Sequence, residues 1–94
     1  MYFVYILYLK KSNNLYTGST SDIKVRIKQH LSGRVISTKG KIPRLIHLEI
    51  FRLKTDALRR EKFLKTTEGK RLLKQQIRDI LQKSKNQSQS SEIV

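Results

Sequence analysis

Residues 2–9 run Tyr-Phe-Val-Tyr-Ile-Leu-Tyr-Leu, a stretch without a charged side chain. Because side chains alternate between the two faces of a strand, a run that is apolar at every position predicts a central strand covered on both sides. A polar turn follows over residues 10–14, and Asn13-Asn14 suits a hairpin tip because asparagine tolerates positive φ. Leu15 to Ser19 is the second strand, in which Gly18 indicates a close approach to the backbone.

Beyond the hairpin the apolar residues follow helical spacing. Ile23, Ile27 and Leu31 recur every four residues and predict a helix whose N-cap is Ser21. Thr55 is the expected N-cap of the second helix. The elements expected after the hairpin are a helix over 22–31, a basic loop over 34–43, a strand over 45–53, and helices over 56–65 and 70–82. The order β-β-α-β-α-α predicts an α+β fold, a small three-stranded antiparallel sheet flanked by helices.

The chain is long enough for one domain, since it has 94 residues. We expect the domain to occupy residues 1–82, and the polar, unpatterned residues 83–94 to form a disordered tail. No apolar run approaches the roughly 20 residues that span a bilayer. A role at a membrane surface is a third alternative that we do not expect, since no predicted helix combines a basic face with Trp or Phe anchors. Cysteine is absent, which excludes disulfides and fits a reducing compartment, and we expect a cytoplasmic protein.

Charge indicates the partner. Lysine and arginine number 21 against 7 acidic residues, a formal net charge of +14. The last twelve residues hold two lysines and one glutamate, so +13 of this charge lies in residues 1–82. Such an excess on a folded domain is typical of a protein that binds nucleic acid, and a merely basic soluble protein is the alternative.

Glu61 stands out on the second predicted helix. At about 100° per residue, its direction lies between those of Leu58 and Leu64, within the apolar stripe. A carboxylate that points toward a core is costly unless it is paired or bound to a metal. From position alone, a buried ion pair with an arginine and a metal site both remain open.

Arg26 and His30 lie four residues apart at the edge of the apolar stripe of the first helix. They can reach into a site between this helix and the sheet, or they can be an arginine at the rim of the core and a histidine bonded to backbone. The four tyrosines all fall within the first sixteen residues. Packing in strands is their ordinary use, and an active-site phenol is the other.

Several of these residues form an ordered set that resembles the GIY-YIG nuclease family. Phe3-Val4-Tyr5 and Tyr16-Thr17-Gly18 are similar to its two tripeptides, and Arg26 and Glu61 follow at the family's intervals. The nearest resemblance, over residues 2 to about 75, is to the small single-domain bacterial branch called the UPF0213 or YhbQ-like group. Departures are Phe3 for glycine, Thr17 for an aliphatic residue, Ser19 where some relatives have lysine, and Gln75 or Gln76 as the nearest substitute for an asparagine.

The resemblance implies a phosphodiesterase that depends on a divalent metal. Glu61 would hold Mg²⁺ or Mn²⁺, Arg26 would contact the scissile phosphate, and Tyr5 and Tyr16 would position or deprotonate the attacking water with His30 nearby. A hard cation can bind through one carboxylate, and arginine binds two phosphate oxygens at once. The cations that we expect to contact nucleic acid are Lys24, Lys28, Arg34, Lys39, Lys41, Arg60, Lys62 and Lys65.

The expected function is therefore a metal-dependent endonuclease that hydrolyses DNA, rather than RNA, with structure-selective cleavage and a link to repair or recombination as one form of it. The alternative is a basic nucleic-acid-binding module on the same fold without catalysis. The sequence leaves the oligomeric state open.

The shared site requires Tyr5 and Tyr16 on one face of the hairpin. If the two tyrosines pair directly, the turn centres between Lys10 and Lys11. A tip at Asn13-Asn14 would instead place Tyr16 opposite Tyr8 and send Tyr5 to the other face. A β-bulge would reconcile the two. We follow the resemblance and expect both hydroxyls in one cleft with Arg26 and Glu61.

Overall fold

A computed structural model describes residues 1–90. The elements are β1 (Tyr2–Leu9), β2 (Asn14–Thr20), α1 (Ile23–Leu31), a 3₁₀ turn (Ile36–Thr38), β3 (Pro43–Phe51), α2 (Lys54–Leu64), α3 (Thr67–Gln76) and α4 (Arg78–Ser90). The three strands form one antiparallel sheet in the order β2-β1-β3. The expected α+β class and three-stranded sheet are confirmed, with one more helix than expected.

The central strand β1 is covered on both sides, as its unbroken apolar run predicts. Val4 and Ile6 pack against α2 and α3 in one core, which also contains Leu64. Tyr5 and Leu7 point to the other face, where the buried side of α1 covers them. The sheet therefore separates two cores, and any side chain on β1 or β2 belongs to one or the other by the alternation of the strand.

The hairpin register puts Tyr5 and Tyr16 on the same face. Tyr16 pairs with Leu7, and Tyr5 pairs with Gly18, through a four-residue turn over residues 10–13 in which Asn13 has φ 53°. Neither register considered from the sequence is present, and the pairing of β1 with β2 needs no bulge. The irregularity in the sheet lies instead between β1 and β3, at Ile6 and Leu7.

The starts of α1 and α2 differ from the expected ones by one and two residues, and α3 begins three residues earlier than expected. Asp22 rather than Ser21 caps α1, because its carboxylate accepts a hydrogen bond from the Val25 backbone N–H. The helix α2 begins before Thr55, after Leu53, which has no side-chain capping bond. Such shifts are ordinary, since several polar residues near a helix start can serve as its cap.

The C-terminal part of the chain departs further from expectation. The single helix expected over 70–82 is two helices, α3 and α4, which meet at the buried Ile77. Contrary to the disorder expected from residue 83, residues 83–90 are the second half of α4, and Ser84 is buried. No glycine or proline interrupts α4, and its lysines and glutamines are good helix formers. The remaining residues of the expected tail, 91–94, lie outside the described residues.

Candidate active site

The phenol of Tyr5 crosses β2 at Gly18. The two residues are direct partners in the hairpin, and a Cβ at position 18 would overlap the Tyr5 ring and hydroxyl. A residue without a side chain is therefore required at this point, which confirms the close approach that Gly18 indicates in the sequence. The crossing carries the Tyr5 hydroxyl from the central strand to the outer strand of the sheet.

Two side chains of α1 meet the Tyr5 hydroxyl. Arg26 donates a hydrogen bond from Nε at 3.2 Å, and His30 Nε2 lies 2.9 Å away. Their spacing of four residues places both on one helix face, and the packing of Ile23 and Ile27 against β1 turns that face toward the sheet. His30 is 1% exposed and bonds to side chains rather than to backbone, whereas Arg26 is partly exposed and lies at the rim of the cluster.

Tyr16 completes the aromatic part of the cluster. Its ring centroid lies 6.4 Å from that of Tyr5 and 5.1 Å from that of His30. The structure thus brings Tyr5, Tyr16, Arg26 and His30 together on one face of the sheet. The two tyrosines and Arg26 lie together as expected, but Glu61, which we expect in the same cleft, lies on the opposite face of the sheet, because its partner Ser19 alternates with Gly18 along β2.

Thr38 is a further member of the cluster, and no pattern in the sequence points to it. Its hydroxyl lies 2.8 Å from His30 Nδ1, and the residue is fully buried. Thr38 belongs to the 3₁₀ turn in the basic loop between α1 and β3. Threonine is common in loops, so its presence at position 38 does not indicate a functional residue. The fold shows that Thr38 is buried beside His30.

The burial of the cluster sets its protonation states. Burial raises the pKa of Tyr5 against the lowering effect of the Arg26 hydrogen bond, so the phenol is neutral at rest. Burial, followed by the charge of Arg26, lowers the pKa of His30 below its ordinary value, so the imidazole is neutral at pH 7. The hydrogen bond to Tyr5 raises the pKa of Arg26, which stays charged.

Glu61 approaches the same outer strand from the opposite face. Its Oε1 accepts a hydrogen bond of 2.6 Å from Ser19, the residue next to Gly18 in β2. Its Oε2 lies 2.9 Å from Lys65 Nζ, one turn along α2. Burial alone would raise the pKa of Glu61, but the hydrogen bonds from Ser19 and Lys65 outweigh it and hold that pKa below its ordinary value. The negative charge of Glu61 in turn raises the pKa of Tyr5, so the two groups interact across the strand.

A cavity of about 320 Å³ lies at this edge of the sheet, lined mainly by the end of β2 and by α1. Ser19 and Arg26 line it together with Asp22 and Gln29. A larger apolar groove, of about 520 Å³, runs between α1 and β3, and none of the polar side chains described above lines it. The smaller cavity is the one into which a phosphate group would bring its oxygens next to Arg26.

The arginine–carboxylate pair that was an alternative for Glu61 involves Glu49 instead. Arg60 donates two hydrogen bonds to Glu49, at 2.9 and 3.1 Å, and His47 lies 3.0 Å from the same carboxylate. Arg60 was expected to contact nucleic acid, but its guanidinium is occupied by this pair. Gln76 bonds to Arg60 at 3.4 Å and thereby belongs to this cluster.

The other expected nucleic-acid contacts lie largely at the surface. Those that are exposed are Lys24, Lys28, Arg34, Lys39, Lys62 and Lys65, and Lys41 is partly buried. Lys65 differs from the rest because it is paired with Glu61. None of the helices in residues 1–90 combines the length and apolar character that crossing a bilayer requires.

The single carboxylate of Glu61 fits a hard cation that takes its other ligands from water and from a phosphate group of the substrate. Within residues 1–90, no three His, Asp or Glu side chains cluster as a metal-binding group. Mg²⁺ needs no such cluster, because it binds through one or two carboxylates, keeps several waters and takes phosphate oxygens as further ligands. The depressed pKa of Glu61 supplies one ionised carboxylate, which is bonded to Ser19 in the lining of the cavity.

Comparison with known proteins gives a consistent result. The family model of the GIY-YIG catalytic domain matches residues 1–75. A UPF0213 protein of Staphylococcus haemolyticus is 39% identical over 75 residues, which are 78% of this chain and 90% of that protein. A UPF0213 protein of Haloquadratum walsbyi is 36% identical over 85 residues, 86% of this chain and 94% of the relative. The solution structure of a UPF0213 protein from Bacillus halodurans has a TM-score of 0.54 at 32% identity, covering 99% of this chain and 100% of that one.

Proposed function

This chain belongs to the GIY-YIG nuclease family, in the group of the UPF0213 proteins, and from that premise we propose that it is a divalent-metal-dependent endonuclease that hydrolyses DNA. The observation that carries the proposal is the Tyr5 hydroxyl, which contacts Arg26 Nε and His30 Nε2 while Glu61 reaches the neighbouring residue of β2. A phenol held between a cation and a neutral imidazole is suited to moving a proton.

Tyr5 acts as a relay rather than as a resting tyrosinate, because its pKa is raised. Its oxygen takes a proton from the attacking water while its own proton passes to His30 Nε2, which is free to accept it because the imidazole is neutral. The water oxygen bonds to phosphorus as the bond from phosphorus to the leaving oxygen breaks. The leaving oxygen takes a proton from solvent, and His30 returns its proton to solvent.

Arg26 supplies the fixed positive charge at the phosphate. Its Nε is engaged with Tyr5 and one terminal nitrogen with Gln29 at 3.0 Å, which orients the guanidinium toward the cavity at the β2 edge. The remaining N–H groups are available to phosphoryl oxygens, for which a planar guanidinium is well shaped. Tyr16, beside the Tyr5 ring, is placed to orient the water.

Glu61 would hold the metal, with Mg²⁺ or Mn²⁺ as the ion. When bound, such an ion neutralises charge on the phosphoryl oxygens and lowers the pKa of its coordinated water. Ser19 fixes the carboxylate through Oε1 and leaves Oε2, now paired with Lys65, for exchange with a cation. Lys65 is mostly exposed and can turn away toward the DNA backbone once it is released.

The substrate surface that we propose consists of cations on α1, in the loop that follows it and on α2. We propose phosphate contacts for Lys24 and Lys28 on α1, for Arg34, Lys39 and Lys41 in the loop that follows, and for Lys62 on α2. The net charge of +14 supports a polyanionic partner, for which we propose DNA in the cytoplasm. Cleavage selective for a DNA structure, as repair and recombination require, is the form we propose to test.

The test is incubation with duplex, single-stranded, flap and junction DNA and with matched RNA, each with Mg²⁺, Mn²⁺ or chelator. We expect metal-dependent cleavage of at least one DNA substrate, and its loss in Tyr5→Phe, which keeps the ring and removes only the hydroxyl. The matched control is Tyr8→Phe, because the Tyr8 hydroxyl donates to Asn13 in the turn and not to a residue of the site. Absence of cleavage on every substrate at large enzyme excess would refute the proposal.

A second candidate function is a nucleic-acid-binding module without catalysis. The pairing of Lys65 with Glu61 favours it, since an ammonium already neutralises the carboxylate that would hold the metal. This candidate predicts salt-sensitive DNA binding that is unchanged by chelator, together with no cleavage in the panel above.

A further inference from the structure

Thr38 has no role in the proposed mechanism, although it is bonded to one of the residues in that mechanism. It is fully buried in the loop between α1 and β3, and its hydroxyl lies 2.8 Å from His30 Nδ1, the ring nitrogen that faces away from Tyr5. The same hydroxyl donates to the Val35 carbonyl at 3.4 Å, three residues earlier in the chain. This local bond is a common use of a threonine in a turn.

A count of hydrogens along this chain of contacts fixes the tautomer of the histidine. A hydroxyl has one proton to donate, and Thr38 directs it to Val35. Thr38 must then accept from His30, which requires the proton on Nδ1 and leaves Nε2 as an acceptor. Tyr5 in turn donates its hydroxyl proton to Nε2 and accepts from Arg26. Every donor and acceptor in the series is satisfied.

The opposite tautomer satisfies fewer groups. With the proton on Nε2, His30 would donate to the Tyr5 oxygen, which already accepts from Arg26. The Tyr5 proton would then have no partner among the contacts of this buried cluster, and a buried donor without a partner is costly. Thr38 would also have to give up its bond to Val35 to serve Nδ1.

We infer that Thr38 is a positioning residue, which holds His30 as the Nδ1-protonated tautomer and thereby aims the Tyr5 hydroxyl proton at His30 Nε2. The inference rests on the proposed function, because it assigns Thr38 a part in the proton relay of that site. Thr38 touches neither the phosphate cavity nor Tyr5, so it acts only through the histidine.

The experiment is a long-range ¹H–¹⁵N correlation spectrum, which identifies the protonated nitrogen of a histidine ring and needs no substrate. The chain has two histidines, so His47 serves as the internal reference. We expect His30 to carry its proton on Nδ1 in the unmodified protein at neutral pH. In Thr38→Val, which replaces the hydroxyl by a methyl group of similar size, we expect a shift toward the Nε2–H form, and in Thr38→Ser its reversal. Ser37→Ala, at the exposed neighbouring position, should leave the spectrum unchanged.

Cleavage kinetics give a second readout. Thr38→Val should lower kcat by about 10²-fold with little change in KM, since general acid–base groups contribute roughly this much and DNA contacts are untouched. Thr38→Ser should restore most of it. An Nε2–H tautomer in the unmodified protein, which can be observed even if Thr38→Val does not fold, would overturn the inference, as would a folded Thr38→Val with an unchanged spectrum. If the tautomer behaves as expected and no DNA is cut, the tautomer control stands and the nuclease proposal fails.

Discussion

Two carboxylates on the same side of the sheet, Glu61 and Glu49, allow stability and chemistry to be separated by one pair of substitutions. Glu61→Gln keeps the size of the side chain and an acceptor for Ser19, but removes the negative charge. We expect cleavage to be lost, because the amide would bind a divalent cation far more weakly than the carboxylate. DNA binding should remain, since Glu61 contributes no positive charge.

The stability cost of Glu61→Gln should be small. The partner that is lost, Lys65, is 56% exposed and lies one helical turn away, and such pairs contribute about 0.3–0.5 kcal/mol. The hydrogen bond from Ser19 can persist. A total cost of about 1 kcal/mol or less corresponds to a fall in Tm of less than about 8 °C for a domain of this size.

Glu49→Gln is the matched control with the opposite expectation. Glu49 is 18% exposed, receives two hydrogen bonds from Arg60, which is 28% exposed, and contacts His47. Breaking a largely buried ion pair costs about 3–5 kcal/mol, which lowers Tm by more than about 12 °C. Cleavage below the new Tm should continue, because the side-chain hydrogen bonds of this cluster join Glu49 to Arg60 and His47 and Arg60 to Gln76, and none goes to Tyr5, Arg26 or Glu61.

Thermal melting and cleavage by both variants measure the prediction directly. A Glu61→Gln protein that melts far below the unmodified one and still cuts DNA would refute the metal-binding role and make Glu61 a structural ion pair. A Glu49→Gln protein that is stable but inactive would show that the active carboxylate has been misassigned.

Three further outcomes are expected. If about five phosphates are contacted, DNA affinity should fall roughly 500-fold over a fourfold rise in salt, and a flat response in a titration would contradict nucleic-acid binding. Because the folded-state pKa of His30 is depressed, the unfolded chain binds the extra proton as pH falls below about 6.5, so stability should decline from there down to the folded pKa. Chemical unfolding at several pH values should show this slope in the unmodified protein and in His47→Gln, and not in His30→Gln. Gly18→Ala should cost about 1–3 kcal/mol and most of the activity, since the new methyl group displaces the Tyr5 phenol, and unchanged melting and cleavage would argue against that crossing.

The sequence predicts the sheet and one half of the site well, because these depend on local patterns. An unbroken apolar run fixes β1 as the central strand, and helical spacing places Arg26 and His30 on one face of α1. Tyr5 and Tyr16 share a face as expected, although the turn that achieves this differs from both turns considered. A four-residue loop with Asn13 in the left-handed region is one of several that a polar segment of this length permits.

What the sequence could not predict are the partners of long side chains. Glu61 lies toward the core as its helix position indicates, but nothing local tells whether an arginine, a serine or a lysine meets it. In the sequence, Arg60 cannot be distinguished from the exposed cations, because its partner Glu49 lies on a different element, β3. The role of Thr38 is likewise evident only in the fold, where the loop places its hydroxyl beside His30. The division at Ile77 escapes the sequence for a related reason, because the burial of Ile77 depends on the tertiary fold. The helical residues 83–90 follow instead from the lysines and glutamines of α4, which favour a helix although their polar, unpatterned sequence predicts disorder.

The neighbouring positions Gly18 and Ser19 have a consequence for how an active molecule is made. They point to opposite faces of β2, and each serves a different half of the site. A slip of the hairpin by one residue would exchange them: a side chain would meet the Tyr5 phenol, and Glu61 would lose its hydroxyl partner. A misregistered hairpin could still bury many of its apolar residues, but it could not assemble the site. A chain that folds with the wrong pairing would keep its basic charge but lose the arrangement on which the proposed cleavage depends, so the strand register determines whether the proposed site forms.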